Sequence, residues 1–259
     1  MSRFQGGPRR LLLSTDVEGY GKGDDRTQFD TQRGLVQVLG DAADAVGLAR
    51  SDWIRQGAGD GELAILPADV PEAKVVDDYV AELRAALAYH NEPRRPEHRL
   101  RLRLAVHFGP VSDADNGFAS QGVVLVSRLI DGAPVKRALA VARAADLVVV
   151  VSDRVYTDTV LQRHTRLAPG EFRRVTVETK ERPVAAWLRV PGEDVHGLDL
   201  DGGAGPGAGS GSDPGPERGS ADPAPAASAP GLQQVFHHVT APGSVFGFGT
   251  VHNQHGNDR

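Results

Sequence analysis

The chain has 259 residues, of which 40% are hydrophobic and 24% charged, and its formal net charge is -5. This length allows one or two domains, and the composition is that of a globular protein. The negative charge argues against a general nucleic-acid-binding protein, which would present a basic face. The absence of Cys excludes disulfides, thiolate catalysis and cysteine-ligated zinc. The apolar run at 11–13 is too short for a signal peptide or a membrane span, so we expect a cytoplasmic protein with no membrane partner.

The composition divides the chain into three parts. We expect a folded domain over 1–190, a Gly/Pro/Ala-rich linker over 191–231 and a short C-terminal segment over 232–259. Between 201 and 231, 15 of 31 residues are Gly or Pro, and no apolar side chain is larger than Ala. Such a stretch cannot bury enough surface to offset its ordering entropy, which predicts disorder. The last segment is too short for a core of its own, so it either stays disordered or orders against another surface.

Strands and helices alternate in the first part. An apolar run predicts a strand over 9–15, and Leu35, Leu39, Ala42 and Val46 at helical spacing predict a helix over 31–50. The elements predicted after these are a hairpin of 53–56 and 62–66 with Asp60-Gly61 at its turn, a second helix carrying Val75 to Leu87, a strand in RLRLRLAVHFGPV, a third helix from 121 to about 129, a strand at 146–151, a short helix at 153–163 and a final hairpin of 173–178 and 183–190. This order predicts an α+β fold with a ferredoxin-like βαββαβ core, in which helices cover a mixed sheet.

Strict alternation in RLRLRL predicts that Arg99, Arg101 and Arg103 share a solvent face opposite the leucines. Further along the same strand, His107 in AVHFG is predicted to be a core histidine and not a catalyst.

Five segments in this order, TDVEGY, GDGELA, LAVHFGPV, VVLVSRL and LVVVVS, lie within residues 9–190. Together they resemble the class III adenylate/guanylate cyclase homology domain. The resemblance implies a nucleotide cyclase, which converts a nucleoside triphosphate to a 3′,5′-cyclic nucleotide and pyrophosphate. In that reaction two metal ions activate the ribose hydroxyl and clamp the phosphates.

Two carboxylates are suited to hold those ions. Asp16 follows the first strand and Asp60 is at the hairpin tip, where the two could meet and bind Mg²⁺ or Mn²⁺ through oxygen. The resemblance adds the backbone carbonyl of Val17 as a third metal ligand. The alternative is that Asp16 caps a helix and Asp60 is only a turn residue.

The resemblance also implies a nucleotide site. It would include Gly19, Tyr20, Gln56, Gly59 and Lys180, and glycines at 19, 21 and 23 would let backbone amides approach a polyphosphate. Arg128 matches the family's transition-state arginine, which comes from the partner protomer and so implies a homodimer with composite sites. The alternatives are that Arg128 is an ordinary arginine on a helix surface and that Lys180 is a solvated lysine in a turn.

Three positions depart from the family pattern of purine cyclases. Gln56 replaces a base-contacting Lys, Val124 replaces a ribose-orienting Asn, and Asn116 or Gly117 falls where a base-reading Asp is expected. The departures fit a pyrimidine cyclase of antiphage signalling, or a decayed domain that binds nucleotide without turnover.

The C-terminal segment contains GSVFGFGTVHNQHGN, which combines β-branched residues and Phe with Gly, Asn and Gln at low charge. That composition is typical of segments that stack as cross-β. It loosely resembles the RIP homotypic interaction motif and bacterial amyloid signalling sequences, so a partner with a similar motif is expected. A disordered tail is the alternative.

Three hypotheses follow. The first is a homodimeric nucleotide cyclase in signalling or defence. The second is a catalytically inactive nucleotide-binding or scaffold module, assembled through its C-terminal motif. The third makes the C-terminal segment the functional part and the folded domain its cargo.

Overall fold

The computed structural model describes residues 7–57, 59–114, 117–118 and 120–200, and the backbone of 238–240. The strands are β1 (Arg9–Val17), β2 (Ile54–Gly57), β3 (Gly61–Ile65), β4 (Leu102–Pro110), β5 (Asp113–Ala114), β6 (Gly117–Phe118), β7 (Leu147–Ser152), β8 (Arg173–Val177), β9 (Val184–Arg189) and β10 (His238–Thr240). The helices are α1 (Asp25–Ala45), α2 (Glu72–Lys74), α3 (Val80–Asn91), α4 (Gln121–Asp131), α5 (Ala133–Val141) and α6 (Asp153–Val155). A π-helical stretch, Val75–Tyr79, joins α2 to α3, and a second one, Tyr156–Val160, follows α6.

The main sheet has the strand order β10-β2-β3-β1-β4-β7-β9-β8, and β5 and β6 form a separate hairpin. All neighbours in the main sheet are antiparallel except β4 and β7. Helices lie on both faces of this mixed sheet, which confirms the predicted α+β fold.

Alternate side chains of the central strands enter two apolar clusters. On β1, Leu11 and Leu13 belong to the cluster that includes α1 and α3, whereas Leu12 belongs to the cluster that includes α4 and α5. Because neighbouring residues of a strand point to opposite faces, β1 is buried on both sides. This explains why it appears in the sequence as a continuous apolar run.

Helix α1 begins six residues before the predicted start. Asp24 caps it, its carboxylate accepting a hydrogen bond of 2.8 Å from the amide of Thr27. The prediction from apolar spacing began late because the first turns of α1 are polar. The helix also ends earlier than predicted, at Ala45, and Gly47 follows in the left-handed region with φ 65°.

The folded part continues beyond residue 190. Val195 and Leu200 are both buried in the cluster that also contains residues of α4 and α5. The side chain of Arg173 donates to the carbonyl of Leu198 at 2.7 Å, which fixes this segment against β8. Residues 191–200 are therefore packed, unlike the predicted linker. Helix α5, which begins with Pro near its N-terminus, was not predicted either.

The predicted solvent face of Arg99, Arg101 and Arg103 is wrong. The three side chains pair with Asp146, Glu18 and Asp16 respectively, and the Arg103 side chain is only 12% exposed. Strand β4 lies in the middle of the sheet, and helices pack on both faces of that sheet. The alternation correctly separated the arginines from the leucines, but it could not show that carboxylates cover the polar side.

None of the helices in the described part of the chain combines the length and apolarity that a bilayer crossing requires.

His107 is a buried strand residue, as predicted. It is 8% exposed, and its Nδ1 lies 2.9 Å from Oγ of Ser152 at the end of β7. Burial lowers the pKa of His107 to about 4, and the charges of Arg9 and Arg154 act in the same direction. The folded protein therefore holds this imidazole neutral.

This pKa predicts an acid-dependent loss of stability. An unfolded His takes up a proton near pH 6.5 and the folded one only near pH 4, so the free energy of unfolding should fall as pH drops between these values. Relative to neutral pH, the loss of stability caused by His107 should approach about 3 kcal/mol near pH 4, at 1.36 kcal/mol per pKa unit. Urea unfolding of wild type, His107→Gln and His98→Gln at several pH values from 4 to 7.5 measures it.

The His107→Gln protein should show a shallower pH dependence than wild type. His98 is exposed, and His98→Gln should behave as wild type does. Identical pH dependence in all three proteins would contradict the assignment.

Candidate active site

The structure places Asp16 and Asp60 side by side. Asp16 lies near the end of β1, where its register partner on β3 is Gly61. The amide of Val17 donates a 2.8 Å hydrogen bond to the carbonyl of Asp60, which ties the hairpin tip to the end of β1. Gly61 has no side chain to stand between the two carboxylates. The chain thus brings together the two residues predicted to hold metal.

Asp16 is a buried carboxylate with an unusual environment. It is 8% exposed, and its pKa is raised to about 6 by burial and by the charge of Asp60. The positive charge of Arg103 opposes this shift but does not cancel it. Near neutral pH the ionised Asp16 is therefore poorly solvated, and Arg103 offsets only part of this cost.

Arg103 supplies the compensating charge that is present. It is directly opposite Asp16 in the β1–β4 ladder, and its guanidinium pairs with the Asp16 carboxylate. Directly opposed residues of antiparallel strands place their side chains on the same face, so the register itself creates this contact. Nε of Arg103 is buried and has no hydrogen-bond partner among the described residues. The guanidinium therefore keeps an unused donor beside the carboxylate.

The hairpin that carries Asp60 is fixed from the other face of the sheet. Glu62, two residues after Asp60, is buried and pairs with Arg50 at 2.9 Å. Oγ1 of Thr15 donates to the carbonyl of Glu62 at 3.3 Å. Since Glu62 and Gly61 are neighbours on β3, the Glu62 side chain and Asp16 lie on opposite faces. The ion pair therefore anchors the hairpin without occupying the carboxylate site.

The loop after β1 lies against the same hairpin. Gly19 and Gly59 both have positive φ, 75° and 65°. A Cβ on Gly59 would lie 3.8 Å from Oη of Tyr20, and that oxygen accepts a 2.6 Å hydrogen bond from the side chain of Gln32. Gly19, Tyr20 and Gly59, all predicted to bind nucleotide, thus lie at one end of the sheet, near Asp16 and Asp60.

An open polar cleft of about 710 Å³ begins at Val17 and continues between α1 and residues 94–100. Its lining includes four arginines and four carboxylates: Arg26, Arg33, Arg94 and Arg99, and Glu18, Asp24, Asp30 and Glu97. Neither Asp16 nor Asp60 lines it, so the cleft adjoins the carboxylate pair and is not the same space. The arginines and carboxylates of its lining are equal in number, so the cleft is not a positively charged surface.

The remaining predicted residues lie elsewhere. Gln56 is half-buried on β2, opposite Leu63. Lys180 is exposed in the turn between β8 and β9. That turn is at the far end of the sheet, because the start of β9 pairs with the end of β7, whereas Asp16 pairs with the start of β4.

Arg128 is half-buried on α4, one turn after Val124, which is 41% exposed. The pKa of Glu181, next to Lys180, is lowered by hydrogen bonds from its own backbone and from Thr179, and then by the charges of Arg128 and Lys180. Arg128 and Lys180 therefore approach the same turn. Within one chain they do not join Asp16 and Asp60.

Sequence reasoning missed the role of Arg103. The alternation identified Arg103 as polar, but only the strand register shows that it faces Asp16. In the described part of the chain, no group of three or more His, Asp or Glu side chains could hold a metal ion by itself. Any cation at the carboxylate pair would therefore need further ligands from the backbone, from water or from substrate.

Comparison with solved structures shows which fold this is. A structure described as an adenylate/guanylate cyclase/hydrolase from Silicibacter pomeroyi is 19% identical to the chain, covers 71% of it and 97% of its own length, and superposes with a TM-score of 0.51. The chain has the nucleotide-cyclase fold. The guanylyl cyclase Cya2 (17% identity, 76% of this chain and 100% of that one, TM-score 0.49) and the adenylyl cyclase CyaB from P. aeruginosa (15%, 73% and 98%, 0.49) are also similar. No family model and no curated protein matches the sequence.

The buried pair of this cyclase fold predicts a pH-dependent cost of mutation. Arg103→Met leaves Asp16 without its cation, so its pKa should rise further, and the folded state should lose about 3–5 kcal/mol at pH 8. Because a raised carboxylate pKa costs stability only where the group is ionised, the loss should shrink as pH falls below the folded pKa of Asp16. Urea unfolding at pH 5 and pH 8 measures the difference.

Arg137→Met is the matched control, because the Arg137–Asp199 pair is largely exposed and should contribute less than about 1 kcal/mol. The double variant Asp16→Asn/Arg103→Met should recover part of the lost stability. Equal losses for Arg103→Met at both pH values would show that the ion pair does not control this site.

Proposed function

We propose that this protein is a nucleotide cyclase that uses two divalent cations to convert a nucleoside triphosphate to a 3′,5′-cyclic nucleotide and pyrophosphate. The observation that carries the proposal is the placement of Asp16 next to Asp60 at the strand ends of a cyclase fold. In the reaction the ribose 3′-oxygen forms a bond to the α-phosphorus, the bond to pyrophosphate breaks, and the hydroxyl proton is released.

The residues present fit Mg²⁺ or Mn²⁺. Asp16 and Asp60 offer the hard oxygen ligands that these ions prefer, and the Val17 carbonyl is the third proposed ligand. Burial raises the pKa of Asp16 to about 6 despite Arg103, so the ionised carboxylate lacks solvation that a bound cation would replace. Such cations would lower the pKa of the attacking hydroxyl and neutralise the phosphates.

The neighbouring cations would bind the polyphosphate. With a metal ion on the carboxylates, Asp16 would need Arg103 less as a counter-ion, and the unused Nε–H of Arg103 could turn to a phosphate oxygen. The amides around Gly19 offer further positive potential. These groups would orient the triphosphate and stabilise charge as it develops.

We further propose that the active species is a homodimer. Arg128 and Lys180 lie close to one turn, and Lys180 lies at the opposite end of the sheet from Asp16. A second protomer could place both cations over the carboxylates of the first. Each composite site would then combine the metal ligands of one chain with the transition-state cations of the other.

The base is proposed to be a pyrimidine. Gln56 carries an amide where purine cyclases have a lysine, and Val124 offers no hydrogen bond to ribose. Hydrogen-bonded recognition discriminates strongly only where such groups exist. The cyclic nucleotide would act as a messenger in signalling or defence.

Incubation with each of the four nucleoside triphosphates and Mn²⁺, followed by mass spectrometry, tests the reaction. We expect slow formation of a cyclic pyrimidine nucleotide and pyrophosphate, with UTP or CTP used at least as well as ATP. Asp60→Ala should reduce turnover by at least about 100-fold, since each metal-bound clamp supplies several kcal/mol of transition-state stabilisation.

Asp52→Ala, at an exposed position before β2, is the control and should keep wild-type turnover. Metal-dependent triphosphate binding without any product would favour the inactive nucleotide-binding module. Fast cyclic AMP formation without use of UTP or CTP would contradict the pyrimidine assignment.

Complementation tests the composite site. Asp60→Ala and Arg128→Ala homodimers should both be inactive, but in a mixed dimer one site has neither substitution. Equimolar mixing should restore up to about a quarter of wild-type activity, because half of the dimers are mixed and each has one intact site. No recovery, with mixed dimers confirmed by native mass spectrometry, would place Arg128 outside the partner's site.

A further inference from the structure

Residues 238–240 of the C-terminal segment pair with the sheet of the folded domain. Strand β10 pairs antiparallel with β2, with His238 opposite Gly57, Val239 opposite Gln56 and Thr240 opposite Arg55. Apart from this strand, β2 has a neighbour only on its β3 side within the described residues. An edge strand presents unpaired amides and carbonyls, which are a template for another extended segment. Strand β10 supplies hydrogen-bond partners to this edge of β2.

The local sequence suits an edge strand. Residues 232–240, LQQVFHHVT, contain no Pro, and Val, Phe and Thr are favoured in strands. Pro230 and Pro242 lie on either side, and a proline cannot donate to a strand ladder. The two prolines therefore limit the part of this segment that can pair as a strand to residues 231–241.

The intervening chain can span the required distance. Leu200 is packed on the β8 side of the sheet, and β10, where the tether ends, lies seven strand spacings away, or about 34 Å at about 4.8 Å each. A Gly-rich chain with the length of residues 201–237 has a root-mean-square end-to-end distance of roughly 30–37 Å. Because this matches the span, pairing within one chain has close to the highest effective concentration that a tether can give.

We propose that the outer edge of β2 is a docking site for the chain's own C-terminal segment, residues 238–240 forming its core. The edge accepts one strand at a time, so a segment docked there cannot use the same backbone groups to stack on another tail. Association of tails would then expose the edge of the hairpin that carries Gln56 and leads to Asp60. The docking does not depend on the proposed cyclase function.

Hydrogen–deuterium exchange on the full chain tests the docking. The amides of Ile54–Gly57 that do not bond to β3 should be protected in the full chain. They should exchange at least about 10-fold faster in a chain ending at residue 231. The double variant His238→Pro/Val239→Pro should behave like the truncation, because consecutive amides of a strand point to opposite sides and one proline must remove a donor to β2.

Ala227→Pro, in the linker, is the matched control and should leave the protection unchanged. Protection should also be independent of protein concentration from about 1 to 100 μM, as expected for a contact within one chain. Protection that increases with concentration would assign the edge to the tail of a second copy and overturn docking within one chain. Equal exchange in the full and truncated chains would overturn the docking site altogether.

Discussion

A carboxylate buried near the end of a central strand is the constraint on which the rest of this structure depends. Asp16 lies between β3 and β4 with little access to water, so its charge must be compensated by the protein or by a ligand. Arg103 compensates it partly, through the strand register, yet the pKa of Asp16 still rises to about 6. A fold selected only for stability would gain from an apolar pair here. The retained charge is understandable if a cation binds.

Around the hairpin of β2 and β3, two groups of charged side chains lie on opposite faces of the sheet. On one face, the Arg50–Glu62 pair is buried and anchors the hairpin. On the other, Asp16 shares its surroundings with Asp60 and Arg103. Pre-organised ligands must be held by groups that do not themselves take part in binding. The alternation of β3 meets this requirement, because Gly61 and Glu62 are adjacent and point to opposite sides.

Local signals in the sequence predicted the strands and the carboxylate pair, and tertiary pairing decided the rest. The apolar run of β1 and the Asp-Gly turn of the hairpin were enough to predict that Asp16 and Asp60 lie at the same end of the sheet. Apolar spacing placed the start of α1 too late, because its first turns are polar and are stabilised by the Asp24 cap. The pairing of Arg103 with Asp16 could not be predicted from the sequence, because alternation gives the face on which a residue lies but not the residue opposite to it.

The same hairpin connects the candidate site to the C-terminal segment. Its tip carries Asp60, its first strand carries Gln56, and the outer edge of that strand pairs with β10. A strand added to an edge restricts the motion of its neighbour, because each new ladder bond must break before the edge can bend or slip. Occupation of the edge would therefore reduce the freedom of the hairpin tip, and with it the distance over which Asp60 can move relative to Asp16. The opposing side of β3 is already fixed by β1 through the Val17–Asp60 hydrogen bond. The β2 edge is thus the side of the hairpin on which a change in tail contacts can act on the carboxylate pair without disturbing the core.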